Sequence, residues 1–246
     1  MKLEFLGTRG NIEPRTQKHE RHSSLKVSYY HNNVIIDCGE DWMESVMDWD
    51  ADAIVVTHAH PDHAFGLKNG APCPVYATSD AWESMETFVI EDIRTIPKRE
   101  PIKIPNNGNS SLTFEAFPVL HSTRATAVGY RVKAGNAEIF YVPDVAWIKD
   151  RKSALRGVNA YIGDGATFKR SMIRKPGETI IGHAPIQTQL TWCKKTGVKQ
   201  AIFTHLGSQI VDGDEEEKKE QIKMMAEERD ISEIWIAFDG MTRIFR

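Results

Sequence analysis

The sequence predicts an α/β fold in which two packed β-sheets are flanked by helices. Three observations carry this. Both halves of the chain are rich in strand patterns, with helical patterns interleaved, and layers of sheet covered by helices bury such a set. Short apolar runs such as residues 53–56 are continuous rather than alternating, as strands covered on both faces are, although run length alone does not exclude helix. The chain has 246 residues, 41% of them apolar, enough for a sizeable core. That length favours one domain, residues 1–246, over two small ones, and no repeat, linker or low-complexity tract divides it.

Residues 2–6 alternate charged and apolar side chains, as a half-buried strand does, and Gly7-Thr8-Arg9-Gly10 ends them. Residues 11–23 are polar and read as a surface loop. Residues 25–30 and 33–37 read as a hairpin turning at His31-Asn32, with Ile35 and Ile36 buried. Asp41 stands where it would cap a short helix carrying Trp42, Val46 and Trp49. Residues 53–56 and 74–77 are strand candidates. Residues 79–96 read as helical or irregular, with Trp82, Met85 and Phe88 on one face. Residues 112–119, 127–133 and 137–142 read as strands, the last two joined by Gly135-Asn136. Residues 160–163 and 200–203 are further strands, and residues 184–195 a helix that Gly197 ends. Residues 214–229 form a charged helix with acids in its first turn, the order that suits the helix dipole. Residues 233–238 and 242–245 read as a closing hairpin.

Composition excludes some functions. A formal net charge of −3 argues against coating nucleic acid by bulk charge, though a local basic patch is compatible with it. Cys38, Cys73 and Cys193 form no CxxC pair and point to free thiols in a reducing, cytoplasmic compartment. The opening decapeptide lacks the apolar core of a signal peptide, and no apolar run is long enough to span a membrane.

The chemistry concentrates in Val55-Val56-Thr57-His58-Ala59-His60-Pro61-Asp62-His63, which puts three imidazoles and a carboxylate into six residues after an apolar run. Imidazole and carboxylate are the ligands of hydrolytic zinc or manganese sites. So dense a polar cluster needs a metal to offset its desolvation, whereas a structural histidine is usually single. Four later strand ends repeat the pattern, at His121, Asp144, His183 and His205. Singly each reads as a structural residue; together they supply ligands for two metals. His19, His22 and His31 lie in loops and read as solvated.

His58-Ala59-His60-Pro61-Asp62-His63 is the His-x-His-x-Asp-His signature, and on it the chain resembles the metallo-β-lactamase superfamily. Phe5-Leu6-Gly7-Thr8, Asp37-Cys38-Gly39-Glu40, Gly182-His183 and Thr204-His205-Leu206 resemble its ribonuclease Z branch. Arg21-His22-Ser23-Ser24 is similar to the related phosphoribosyl cyclic phosphate phosphodiesterases. The resemblance implies a four-layer αββα sandwich with mixed sheets. It implies one metal held by His58, His60 and His121, a second by Asp62, His63 and His205, and Asp144 bridging both. His183 would contact the substrate phosphate or protonate the leaving oxygen. Asp62 and His183 are thus the expected catalytic residues, and His183 and Arg124 the expected substrate contacts.

The resemblance thereby implies a phosphodiesterase that uses two divalent ions, zinc or manganese with iron as a further option, and a hydroxide bridging them. A cyclic phosphate, nucleotide or other small phosphodiester is the favoured substrate, with nucleic acid less favoured and a homodimer left open. The alternative is hydrolysis of a thioester or other carboxyl derivative, as by glyoxalase II-like relatives; the closing block with His183 speaks for phosphorus. Asp37 and Asp164 are even candidates for outer partners of the ligand imidazoles or for turn aspartates. Lys169, Arg170, Arg174 and Lys175 read as a solvated loop rather than a phosphate grip.

Overall fold

The computed structural model describes residues 1–106, 112–177 and 179–246. In chain order the strands are β1 (Lys2–Gly7), β2 (Ser24–Tyr29), β3 (Asn32–Ile36), β4 (Ala53–Val55), β5 (Val75–Ala77), β6 (Ile93–Thr95), β7 (Ile102–Lys103), β8 (Leu112–Leu120), β9 (Ala127–Ala134), β10 (Ala137–Tyr141), β11 (Trp147–Ile148), β12 (Ala160–Asp164), β13 (Gln200–Thr204), β14 (Glu233–Ile236) and β15 (Thr242–Ile244). The helices are α1 (Pro61–Ala64), α2 (Ser79–Ser84), α3 (Arg151–Leu155), α4 (Ile186–Thr196), α5 (Ser208–Val211) and α6 (Glu215–Glu227).

Two mixed sheets result, ordered β15-β1-β2-β3-β4-β5-β6 and β11-β8-β9-β10-β12-β13-β14, with β7 paired to β8. Their facing surfaces interdigitate: Leu3, Phe5, Leu25 and Val27 of the first sheet pack with Phe114, Val132, Ile139, Ile162 and Ile202 of the second, all essentially without solvent exposure. Each such side chain contributes roughly 1.5–3 kcal/mol of burial. The outer face of the second sheet is covered by α3, α4 and α6 through Leu155, Leu190, Cys193, Ile222 and Met225. The outer face of the first is covered by α1, α2 and short helical turns through Leu67, Ala81 and Met85. This is the expected αββα sandwich. Among the described residues, no helix is long and apolar enough to cross a membrane.

The two long helices follow their sequence signals. Gly197 closes α4 at φ 80°, a conformation that costs glycine little, and its N–H donates to the carbonyls of Cys193 and Lys194. The Asp214 carboxylate caps α6 by accepting from the Glu217 N–H at 2.8 Å.

Other expectations need correction. Tyr29 pairs with Asn32, so the first hairpin turns at Tyr30-His31, one residue earlier than expected, with Tyr30 at φ 52°. Asp41 caps nothing: Glu40–Trp42 and Val46–Asp48 are separate 3-10 turns. Its carboxylate pairs with the Arg9 and Arg15 guanidiniums and accepts from the His22 N–H at 3.0 Å. His22 is accordingly buried rather than solvated, and its carbonyl accepts from Trp42 Nε1. Ile93–Thr95, inside the segment read as helical or irregular, forms the edge strand β6.

The expected C-terminal hairpin does not form. β14 lies parallel to β13 in the second sheet, while β15 lies antiparallel to β1 in the first. The chain crosses between sheets at residues 237–241: Ala237 N–H donates to Phe203 O, and Gly240 N–H, at φ 86°, donates to Phe5 O. Asp239 fastens the crossing by accepting from Thr8 Oγ1 and from the N–H groups of Glu20 and Arg21.

Candidate metal centre

The carboxyl ends of β4, β10, β12 and β13 converge on one rim of the sandwich, where rigid strands hold irregular segments in place. β4 delivers His58 and His60. Pro61 then opens α1 at a position where its missing N–H costs nothing, and the first turn of α1 carries Asp62 and His63 inward, both buried. β8 ends in His121, β10 leads to Asp144, and β13 ends in His205. His205 takes φ 53°, strained for a non-glycine residue by about 1–3 kcal/mol. Two neighbouring hydrogen bonds hold the turn, from Leu206 N–H to Thr8 O (2.8 Å) and from Gly10 N–H to Leu206 O (3.0 Å).

The expected ligands meet in two groups that share Asp144. One is His58, His60, His121 and Asp144; the other is Asp62, His63, Asp144 and His205; within each, one donor atom per residue lies within 4.8 Å of all the others. His58 Nε2 stands 3.0 Å from His60 Nδ1 and 3.3 Å from Asp144 Oδ2. His63 Nε2 is 2.9 Å from Asp144 Oδ2, and His205 Nε2 is 3.0 Å from Asp62 Oδ2. His63 Nε2, Asp144 Oδ1 and His205 Nδ1 are buried without a well-formed hydrogen bond, although Asp144 oxygens stand 2.9 and 3.1 Å from the two imidazoles. Buried polar atoms are normally satisfied, and nitrogen and oxygen donors this close together fit divalent metal.

The electrostatics agree. Burial alone would raise the Asp144 carboxyl, but His121, His205 and His63 hold it well below the usual carboxylate range. Burial likewise opposes ionisation of Asp62, and His63 and His205 reverse this. Burial pushes His60 down to about 4 and His58 well below its ordinary value, so both present neutral imidazoles, the form that ligates a metal.

Asp37 backs an expected ligand, His63, whereas Asp164 backs His183, which is outside the expected ligand set. Asp37 accepts from Thr57 N–H (2.7 Å) and Thr57 Oγ1 (2.8 Å), and its Oδ2 lies 2.9 Å from His63 Nδ1. Asp164 accepts from the N–H groups of Val145 and Ala166, and its Oδ2 lies 2.8 Å from His183 Nδ1. Burial works against charge on His183, yet Asp164 and Asp144 outweigh it and push the imidazole up to about 11. His183 is 19% exposed in its side chain and stacks at 5.7 Å on His205, at the edge of the cleft.

That cleft encloses about 600 Å³ and opens directly over the two groups. Its lining includes Arg170 and Arg174, from the segment read as a solvated loop, whereas Arg124 is exposed and not among the lining residues. Two glycines escaped the sequence reading as site elements. A Cβ on Gly39 would fall 2.2 Å from the carbonyl oxygen of Asp62, and one on Gly10 would press on the His205 ring. Their position in turn segments signals bending, not the ligand each one accommodates.

A family model described as Beta-lactamase superfamily domain matches residues 32–206. Ribonuclease Z of Methanopyrus kandleri is 28% identical over 179 residues, covering 65% of this chain and 61% of the length of that enzyme. Among solved structures, the metallo-beta-lactamase fold protein YhfI from Bacillus subtilis superposes with a TM-score of 0.76 at 14% identity, covering 99% of both chains. Human tRNase Z, short form, superposes with a TM-score of 0.67 at 19% identity, covering 100% of both chains.

Proposed function

The chain belongs to the Beta-lactamase superfamily domain family, and on that premise we propose that it is a metal-dependent hydrolase that cleaves phosphodiesters. It works as one domain, residues 1–246. His58, His60 and His121 would hold one divalent ion, and Asp62, His63 and His205 a second, with Asp144 between them; zinc or manganese, with iron as a further option, suits this donor set. When bound, such ions neutralise charge on phosphoryl oxygens and make water nucleophilic near neutral pH.

The observation that carries the phosphodiester reading is His183. It lies outside the tetrads around His58 and His63 and instead joins Asp144, Asp164 and His205 in a third cluster at ligating spacing. Its Nδ1 faces Asp164 and Asp144 at 2.8 and 3.3 Å, which fixes the ring and favours its charged form. A cationic imidazole fixed at the cleft suits a phosphate, because its remaining N–H can bond a phosphoryl oxygen or pass its proton to the leaving oxygen. Asp37 holds His63 in one orientation, and Asp164 does the same for His183. Asp62, in ligating reach of His63 and His205, supports the reaction as a fixed anion in the same group.

The likeness to Ribonuclease Z supports a nucleotide-type substrate: a cyclic phosphate, a cyclic nucleotide or a short nucleic acid. The free, largely buried thiols of Cys38 and Cys193 suit a reducing cytoplasm. The test is turnover of bis-p-nitrophenyl phosphate and of 2′,3′- and 3′,5′-cyclic nucleotides by chain loaded with zinc or manganese. Metal-dependent cleavage of at least one supports the reading. Inactivity on all of them, with preferential cleavage of S-lactoylglutathione by the same sample, overturns it.

A further inference from the structure

We propose that Arg170 and Arg174 form a subsite for a second, non-scissile phosphate, so that the preferred substrate is a phosphodiester bearing another phosphate group. The proposal rests on the phosphodiesterase reading and narrows its substrate class. Both arginines line the cleft. Neither side chain has an acidic partner among the described residues, although many other lysines and arginines are paired with acids. Among the described residues, the acids lining the cleft are Asp62 and Asp144, both buried among imidazoles on its floor. Gly10-Asn11-Ile12 and Ser208-Gln209, which also line it, are neutral. The cleft therefore offers one cationic wall and an electrostatic gap that an anion of the substrate would fill, and guanidinium groups recognise phosphate oxygens in pairs.

This wall is not an unattached loop. Arg174 N–H donates to Ile181 O at 2.9 Å, and Ile181 N–H returns the bond to Arg174 O at 3.0 Å. Met172 N–H donates to His183 O, and Thr167 Oγ1 to Arg170 O. Between Ile181 and His183, Gly182 at φ 99° brings its backbone so near Met172 that an added Cβ would fall 2.2 Å from the Met172 carbonyl oxygen. Gly182 N–H in turn donates to His121 O at 2.7 Å. The arginine segment is thus fastened to the residues that flank His183, at a set distance from the ligand groups. A phosphate seated on it would fix the register of the scissile bond over the floor, which turns binding energy remote from the reaction into orientation.

Two sources supply such a phosphate, and the test separates them. With metal-loaded full-length chain, kcat/KM is measured for the dinucleotide TpT, for pTpT with a terminal phosphate, and for the trinucleotide TpTpT with a second internal one. Binding of thymidine 3′,5′-bisphosphate and thymidine 5′-monophosphate is measured alongside by calorimetry. Because the arginines are solvent-exposed, the expected gain from the extra phosphate is about three- to tenfold in kcat/KM or Kd. A gain for pTpT alone assigns the subsite to terminal phosphates, and a gain for TpTpT assigns it to a polynucleotide backbone. In R170A/R174A these ratios should fall to about one. The proposal is overturned if the wild-type ratios are already near one, or if the double variant weakens both members of each pair equally. If no phosphodiester is cleaved but the bisphosphate still binds more tightly through the arginines, the phosphodiesterase reading fails and the subsite stands.

Discussion

Gly10 lies directly against His205: a Cβ on Gly10 would stand 3.1 Å from Cε1 and 3.3 Å from Nε2 of that imidazole. The ring is pressed between the backbone of one segment and the acids of another, so its position depends on a residue that carries no chemistry. Gly10→Ala should displace His205 by a few tenths of an ångström and Gly10→Val by more. We expect metal affinity to fall about tenfold for alanine and further for valine, the range seen when support around a ligand is lost. Chelator competition monitored by metal content checks it, with His205→Ala as the limit of complete loss.

Asp37→Asn should be among the costliest single changes outside the ligand set. The carboxylate is fully buried and serves Thr57 and His63 together. An amide keeps the shape but not the charge opposite His63. The expected loss is about 10–100-fold in metal affinity, with a thermal melt lowered in the metal-free protein as well. An unchanged affinity would assign Asp37 to the turn alone.

His183→Ala and Asp144→Ala should separate by metal content. His183→Ala should retain both ions and lose about 10²–10⁴ in kcat, the usual worth of a positioned proton donor. Asp144→Ala and His63→Ala should lose metal and turnover together. Elemental analysis beside single-turnover rates distinguishes the two patterns, and metal loss in His183→Ala would move that residue into the ligand set.

Metal removal should destabilise the fold itself. Ligands that bind only the native state stabilise it by mass action, and stripping them leaves crowded acids and unsatisfied buried atoms at His63, Asp144 and His205. Chelation should therefore lower the melting temperature, and readdition of zinc or manganese should restore it in proportion to the concentration of free ion.

The Arg9–Asp41–His22 network, with Arg9 and His22 buried, predicts acid sensitivity outside the ligand set. Burial holds His22 at about 4, below its ordinary 6.5. The unfolded chain then binds a proton that the folded one refuses, so stability drops as pH falls from about 6.5 to about 4, by about 3 kcal/mol. For Asp41 burial opposes ionisation, but His22 and Arg9 depress the carboxyl below 3.8, so its contribution is lost further into acid. His22→Asn should flatten the melting curve between pH 6.5 and 4 relative to wild type. Asp41→Asn should cost about 3–5 kcal/mol at neutral pH by stranding the Arg9 charge.

The cluster of candidate ligands was legible in the sequence because His58, His121, Asp144 and His205 each follow an apolar run and His60, Asp62 and His63 crowd behind the first of them, a local pattern; their division between two ions rests on the family resemblance. The layers were legible for the same reason. What local pattern could not supply is pairing across the fold. β14 and β15 look like hairpin arms since each is short, apolar and separated by Asp239-Gly240, and nothing in either says that its partner is β13 or β1. His22 sits in a segment that reads as solvated, and Arg9 in a turn; Asp41, far along the chain, pairs with both, and the carbonyls of Glu20 and Gly10 accept from the Arg9 guanidinium. Arg170 and Arg174 are exposed, as a solvated loop implies, and line the cleft as well, because a basic segment looks the same on a surface and on the rim of a cleft. β7 and β11 have two residues each, shorter than any periodicity can register.

Because Lys2 pairs with Ile244 while the second sheet is spelled out between them, the first sheet is discontinuous along the chain. The order in which the molecule assembles is constrained as a result. The β1–β2–β3 meander can form early from neighbours, but its outer edge stays bare until the second sheet has docked and the crossing at Asp239-Gly240 has delivered β15. Pairings so remote in sequence slow folding. During that interval the open edge of β1 is a template on which a strand from another molecule could add. Variants that delay the crossing, such as Asp239→Ala, should thus reveal themselves first as poor recovery on refolding at high protein concentration.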